Sequence, residues 1–374
     1  MIKAINIISF DVPFPANYGG VIDVFYKLKT FHKMGVKVHL HCFEYGRGEQ
    51  PELEKYCESV TYYKRKNHWI HLLSSVPFII KTRTSKKLEN NLLSNDYPIL
   101  FEGLHTCYLV SNPKLKNRIK LYRESNIEHR YYSHLAKSEK SFSKKIFLNW
   151  EARKLKKFES IVKYAQHSFM VSKTDFHYFE MKYPKSNNHF VPSFHSGFEV
   201  NVVEGKGDYV LYHGNLSVSE NYEAVSYLIK NVFSVLDVPL IVAGLNPPEH
   251  LVNEIEKADN VTLIANPEED KMNELISNAQ IHFLYTSQAT GLKLKLLNVL
   301  YQGRHCLVNS KMVEGTTLKE CCIVEDSVDK QIIKIKNLME EEVTKEIIEK
   351  RKVVLKENYS NEKNFNRIME VFND

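Results

Sequence analysis

The feature that most constrains this chain is a recurring rhythm of a short apolar run, a turn rich in Gly, Pro or Asn, and a stretch with helical spacing. Residues 5–10 read as a strand, 21–34 as a helix, and 37–43 as a second strand after a stop at Gly35. That is the strand-helix-strand opening of a doubly wound parallel sheet. The second half repeats the rhythm, with strands expected at 209–212, 240–243, 261–264, 281–285 and 306–309 and helices between them. At 374 residues the chain exceeds one typical core. The expected fold class is α/β, with two Rossmann-like doubly wound domains at residues 1–195 and 196–355.

Hydrophobic residues make up 43% and charged residues 26% of the chain, and no apolar run approaches the roughly 20 residues that span a bilayer. A cytoplasmic protein is expected, and residues 1–8 read as a first strand rather than a signal peptide. The six cysteines show no C-x-x-C spacing, which fits a reducing compartment. Net charge is unevenly placed. Residues 1–195 carry 32 Lys and Arg against 17 Asp and Glu, whereas residues 196–374 carry 19 against 28. The basic half is expected to meet something anionic, such as a membrane surface or a phosphorylated lipid.

The most specific motif runs from Gln288 to Asn298 and on to Gly303. Thr290 and Gly291 can turn the chain from the strand at 281–285 into an amphipathic helix, whose first amides lack internal partners and attract phosphate. Lys293 and Lys295 fall near that helix start, where their charges can reach a bound anion. This string resembles the donor-binding segment of the GT-B glycosyltransferases of the family 4 type, in which Ser/Thr-Gly-x-Arg/Lys-x-Lys-x-Leu-Glu precedes Ala-x-x-x-Gly. Here Asn298 stands in place of the last glutamate, which in that family receives the nucleotide ribose; Asn still accepts a hydrogen bond but carries no charge.

The resemblance extends along the chain. Gly19 and Gly20 match the family's glycine loop after the first strand, which faces the donor phosphates and sugar across the interdomain cleft, although a plain turn also explains a Gly-Gly pair. His105, beyond the apolar run at 99–102, falls where these enzymes often place a histidine that contacts the donor sugar; open parallel sheets bind ligands beyond such strand ends. Residues 121–132 are similar to an Arg-x-x-Asn-x-Glu-x-x-Tyr-Tyr string of a bacterial branch, which makes Asn126 and Glu128 acceptor-side candidates and expects Arg123 to face the cleft. The same residues also read as a capped surface helix starting at Ser125 or Asn126. Residues 213–225 resemble the Gly-x-Leu/Met-x-x-x-x-Asn-x-x-Ala-Val pattern, which places Gly214 and Asn215 at the donor, but the Arg and Lys that many relatives carry there are missing. The segment 356–374 resembles the last GT-B helix that returns to the first domain.

The resemblance implies a retaining glycosyltransferase that moves a sugar from a nucleotide-diphosphate donor to a glycan or lipid-linked acceptor, in polysaccharide or lipopolysaccharide biosynthesis. His105, Lys293 and Lys295 are its catalytic candidates. Gly19, Gly20, Gly214, Asn215, Thr290, Gly291, Leu292 and Asn298 are its donor-binding candidates. No cofactor and no metal is implied, since the cations can neutralise the leaving diphosphate. Residues 61–89, with seven basic residues against one acid interleaved with Trp69, Ile70, Leu72 and Leu73, suit a peripheral contact with the inner face of the plasma membrane. No recognised nucleic-acid module is present, so nucleic acid is not expected as a partner. Two other readings stay open: a donor-site-degenerate scaffold, which Asn298 would suit, and a GT-B nucleotide-sugar epimerase with Glu102, Glu124 or Glu128 as its acid and base.

Overall fold

The computed structural model describes residues 2–287 and 294–373. The chain divides into two compact units, residues 1–194 with 361–374 and residues 195–360.

Among the described residues, unit 1 holds a seven-stranded parallel sheet. Its strands are β1 (Ala4–Ser9), β2 (Lys37–Glu44), β3 (Ser59–Lys64), β4 (Ile99–Glu102), β5 (Lys120–Glu124), β6 (His167–Met170) and β7 (Asn187–Phe190). The spatial order β3-β2-β1-β4-β5-β6-β7 puts the reversal of winding between β1 and β4. Such switch points open a crevice at the carboxyl ends of the strands. β1 is buried along its whole length, as a parallel strand covered by helices on both faces must be. Its one amide side chain is satisfied inside the core: Asn6 Nδ2 donates to Asn95 Oδ1 at 2.9 Å.

Unit 2 repeats the plan with six parallel strands among the described residues: β8 (Val210–Asn215), β9 (Leu240–Leu245), β10 (Val261–Ala265), β11 (Ile281–Leu284), β12 (His305–Val308) and β13 (Ile323–Val324). The order β10-β9-β8-β11-β12-β13 places its switch point between β8 and β11.

A buried ion network lies beneath the strand ends of unit 1. Lys27, from the helix Gly19–Lys33, donates to Asp23 at 3.0 Å and to Glu102 of β4 at 2.6 Å. Arg123 of β5 grips the same Asp23 through Nε at 3.1 Å and Nη2 at 3.0 Å, and donates to the carbonyl of Pro192 at 2.9 Å. The main-chain N–H of Phe194 also donates to Asp23, at 2.7 Å. The C-terminal helix Asn361–Glu370 joins this assembly: Asn364 Nδ2 donates to Pro192 O at 3.1 Å, and Phe365 meets Phe31 edge-on at 4.9 Å. The last helix thus packs on the helix Gly19–Lys33, as expected.

Three local expectations are corrected. Arg123 does not face a cleft: it is fully buried and held by Asp23, because a guanidinium inside a core is stable only with a carboxylate partner. Gly19 and Gly20 do not form a free loop but open the helix Gly19–Lys33, and a Cβ on Gly20 would lie 2.5 Å from the Phe10 ring. The helix Glu128–Ser138 is not capped by Ser125 or Asn126; Ile127 precedes it with no side-chain cap, and the Asn126 N–H turns instead to Glu124 Oε1 at 3.1 Å.

Burial alone would raise the Asp23 pKa, but Arg123 and Lys27 outweigh it and hold the carboxyl well below its usual range. Its stabilising contribution is therefore complete above the unfolded value of about 4 and fades as pH falls through and below it. Asp23→Asn leaves two buried cations short of a counter-charge, and urea unfolding at pH 7 should show a loss on the order of 3 kcal/mol. A loss below about 1 kcal/mol would mean that the network is not what holds these elements.

Candidate functional site

In unit 1 the candidate residues gather beyond the carboxyl ends of β1, β4 and β5. His105 sits in the short 3-10 turn Leu104–Leu109 directly after β4, with its side chain 16% exposed. Its ring lies 5.1 Å from that of Phe10, which follows β1. Nδ1 is buried without a hydrogen-bond partner among the described residues and lies 3.8 Å from Glu128 Oε1. Burial, then Arg83 and Arg65, push the His105 pKa well below its usual value, so the ring is neutral at neutral pH. Glu128 opens the helix Glu128–Ser138, and burial pushes its carboxyl up to about 8 despite the opposing pull of Arg83. A neutral imidazole thus faces a carboxyl that is mostly protonated at pH 7, an arrangement suited to hydrogen bonding with sugar hydroxyls.

The other carboxylates at these strand ends are committed elsewhere. Glu102 is bound to Lys27. Glu124 is buried, accepts a hydrogen bond from the Tyr122 hydroxyl, and is raised by burial and by Glu128. Asn126 is half-buried next to Glu124 through its own main chain.

In unit 2 the candidates lie on β8 and on the helix Leu294–Gln302. Gly214 and Asn215 end β8 inside the strand. The chain here is close-packed: a Cβ on Gly244 of β9 would lie 1.9 Å from Gly214 O. Asn215 Oδ1 accepts from Ser217 Oγ at 2.7 Å, while its carbonyl accepts from Asn221 Nδ2 at 2.8 Å. Lys295 reaches the same residue, donating to Asn221 Oδ1 at 3.0 Å, and its ammonium lies 4.9 Å from the centre of the Tyr212 ring. Asn221 therefore ties Lys295 to the end of β8. Asn298, half-buried one turn further on, accepts from Gln302 Nε2 at 2.8 Å. Thr290, Gly291, Leu292 and Lys293 lie outside the described residues.

His213 of β8 and His282 of β11 meet edge-on at 6.5 Å in the interior. Burial, then Lys295, pushes His213 down to about 3, which keeps a second cation away from Lys295.

Sequence reading missed several residues that shape these sites. Tyr212, which contacts Lys295, and Phe10, whose ring lies near His105, carry no motif, and Asn221 enters the sequence reading only as the Asn of the 213–225 pattern, with no role toward Lys295. Arg83 and Arg65 were counted only as part of a basic stretch. The apolar run Phe78-Ile79-Ile80 just before Arg83 was the available sign that this arginine follows a buried turn.

Comparison with known proteins adds the fold's identity. No protein-family model matches the chain. An uncharacterised 44.6 kDa protein of the cps region of Klebsiella pneumoniae is 25% identical over 331 residues, covering 83% of this chain and 84% of the relative. HepE of Anabaena, solved with UDP and glucose, superposes with a TM-score of 0.69 at 10% identity over all of both chains. Sucrose-phosphate synthase of Thermosynechococcus elongatus superposes with a TM-score of 0.67 at 11% identity, covering 100% of this chain and 98% of the other. TarM of S. aureus, solved with fondaparinux, alpha-GlcNAc-glycerol and UDP, gives 0.65 at 11% identity over all of both chains. The chain has the GT-B glycosyltransferase fold. Its two Rossmann-like sheets hold every described strand, and its C-terminal helix packs on the helix Gly19–Lys33.

The Glu128 shift makes a directional prediction. An acid raised in the folded state adds stability at low pH and loses it as pH climbs from the usual 4.5 towards about 8. Glu128→Gln, which mimics the protonated acid, should gain on the natural protein by roughly 1.4 kcal/mol per pH unit through that window, then level off. Urea midpoints at pH 5, 7 and 9 measure this. A constant difference across the series would show that Glu128 ionises normally.

Proposed function

We propose that this GT-B protein is a retaining, family 4-like glycosyltransferase. It transfers a sugar from a nucleotide-diphosphate donor to a glycan or lipid-linked acceptor in bacterial surface-polysaccharide synthesis. The observation that carries the reading is full-length superposition on HepE, a protein solved with UDP and glucose and also with UDP-glucose. The relative in a cps region supports the polysaccharide context.

In this reading unit 2 receives the donor at the end of β8. The amides of Thr290, Gly291 and Leu292, with Lys293 and Lys295, take the growing negative charge of the leaving diphosphate, the main electrostatic demand of glycosyl transfer. Asn221 and Tyr212 hold Lys295 ready, so little reorganisation accompanies charge development. Gly214 and Asn215 give the donor close access to the main chain, and Asn298 accepts a ribose hydroxyl. His105 positions the sugar as a neutral hydrogen-bonding ring, and the glycine-opened helix at Gly19 and Gly20 offers its first amides to the phosphates. Asn126 and Glu128 lie on the acceptor side. Retention follows a front-face path in which the leaving phosphate oxygen takes the acceptor proton, so that no enzyme carboxylate acts as a nucleophile.

Unit 1 lies against an anionic membrane in this proposal. Trp69 is 74%, Leu73 75% and Phe142 78% exposed, among flanking lysines. No helix among the described residues is long and apolar enough to cross a bilayer. Interfacial contact of this kind combines apolar insertion with lysine attraction to head groups. Trp69→Ser with Phe142→Ser should reduce co-sedimentation with phosphatidylglycerol vesicles severalfold. Equal sedimentation of the natural and altered proteins would remove the membrane contact from the proposal.

One observation favours a second reading, the donor-site-degenerate scaffold: Asn298 carries no charge, and its side-chain oxygen already accepts one bond from Gln302, which leaves a single lone pair for a ribose hydroxyl. Thermal melting with millimolar UDP and GDP separates the two. An enzyme's nucleotide raises the melting point, by the equivalent of about 2.7 kcal/mol at a hundredfold excess over Kd. Lys295→Met should weaken that nucleotide about tenfold or more, since a hydrogen bond to a charged group is lost. No shift with either nucleotide, from folded protein, favours the scaffold.

A further inference from the structure

A pair of arginines in unit 1 is given no role in the donor contacts proposed above. Arg83 follows the short helix Phe78–Lys81 and is only 4% exposed. Its Nε donates to Phe10 O at 2.8 Å and its Nη1 to Ile79 O at 2.7 Å, which fixes the plane of the guanidinium and leaves Nη2 for another acceptor. Arg65, at the end of β3, is half-buried and steadied by Nε donating to Thr82 Oγ1 at 3.0 Å. Both guanidinium groups lie over the Tyr45 ring, 4.6 Å from its centre for Arg65 and 5.4 Å for Arg83.

Among the described residues, neither arginine has a carboxylate within ion-pair distance. Arg123, the other deeply buried arginine of unit 1, shows the contrast, since Asp23 grips it twice. The acids that act on Arg83 from further away are Glu128, which is mostly protonated at neutral pH, and Asp11, whose oxygens already serve Val12 N–H and the Tyr18 hydroxyl. Burial, then Arg65, pushes Arg83 down to about 10, the direction expected of a cation without a counter-charge. A second independent sign is the buried and unbonded Nδ1 of His105, whose ring feels both arginines. The cluster follows the carboxyl ends of β3 and β2 and reaches, through the bond of Arg83 to Phe10 O, the residue after β1 beside the switch point, the side on which an open sheet takes its ligand.

We propose that Arg83 and Arg65 form an anion subsite beside His105 and Glu128 that takes a carboxylate or phosphate group of the acceptor. Two guanidinium groups match the planar, multi-oxygen geometry of such groups, and desolvation strengthens the contact. The word acceptor rests on the glycosyltransferase reading; the anion site itself stands on the two arginines. In that reading the acceptor is an acidic glycan or one bearing a phosphate, and the donor diphosphate is the other source of the same chemistry.

The test is calorimetric titration of the full-length protein with glucuronate, inorganic pyrophosphate, glucose and UDP, alone and in pairs. Glucuronate or pyrophosphate should bind at least about tenfold more tightly to the natural protein than to Arg65→Gln or Arg83→Gln, with glucose indifferent to the change. Arg65 is half-exposed, so its variant keeps the test alive if Arg83→Gln does not fold. Glucuronate binding that persists under saturating UDP assigns the subsite to the acceptor; displacement of pyrophosphate by UDP, with glucuronate not binding, assigns it to the donor and overturns the acceptor proposal. Anions that bind the Arg65→Gln protein as tightly as the natural one, or bind neither, overturn the subsite while UDP binding reports separately on the glycosyltransferase reading.

Discussion

The geometry of unit 1 depends on one carboxylate. Asp23 is gripped by Arg123 and Lys27 and receives the main-chain N–H of Phe194, so a single buried side chain joins a helix, β5 and the segment that leaves the sheet after β7. Lys27 carries the connection on to Glu102 at the tip of β4. Buried charge is a poor source of net stability but a strong constraint on arrangement, because any shift leaves a charge without a partner. His105 begins its turn just past Glu102, and Glu128 begins its helix just past β5. The placement of His105 and Glu128 is therefore inherited from a network to which neither belongs.

The strand ends of the two units, each taken by itself, handle charge differently. In unit 2, Lys295 donates to the Asn221 amide oxygen and the Tyr212 hydroxyl, while burial lowers the pKa of His213, which feels its charge. In unit 1, burial neutralises both His105 and Glu128, so that hydrogen bonding rather than fixed charge dominates there, with positive potential supplied by the arginines behind them.

Much of the architecture was legible in the sequence because it is written in local periodicity. The alternation of apolar runs with helical stretches marked β1, β2 and the helix between them, and Ser172 capping the N–H of Asp175 is the kind of short-range chemistry that sequence reading finds. The segment 356–374, read as the returning helix, contains the helix Asn361–Glu370, which Tyr359 and Ser360 separate from the helix Lys345–Asn358. What was not legible depends on long-range pairing. Arg123 and Asp23 are 100 residues apart and Lys27 and Glu102 are 75 apart, so no spacing rule links them, and Arg123 in isolation looks like any strand-end arginine. Gly20 misled for a related reason: its missing side chain makes room for Phe10, a packing partner that a glycine-rich stretch does not announce.

The C-terminal helix carries a consequence for how the protein is made. Unit 2 is one continuous stretch, residues 195–360, but unit 1 is interrupted by it and includes residues 361–374. On the ribosome the sheet of unit 1 emerges first, yet the Phe31 face waits for Phe365 until all of unit 2 has been synthesised. Until then unit 1 presents an uncovered apolar surface, and the main-chain carbonyl of Pro192 lacks the amide of Asn364. Completion of the first unit is thus tied to completion of the second, so a chain arrested within unit 2 leaves both incomplete.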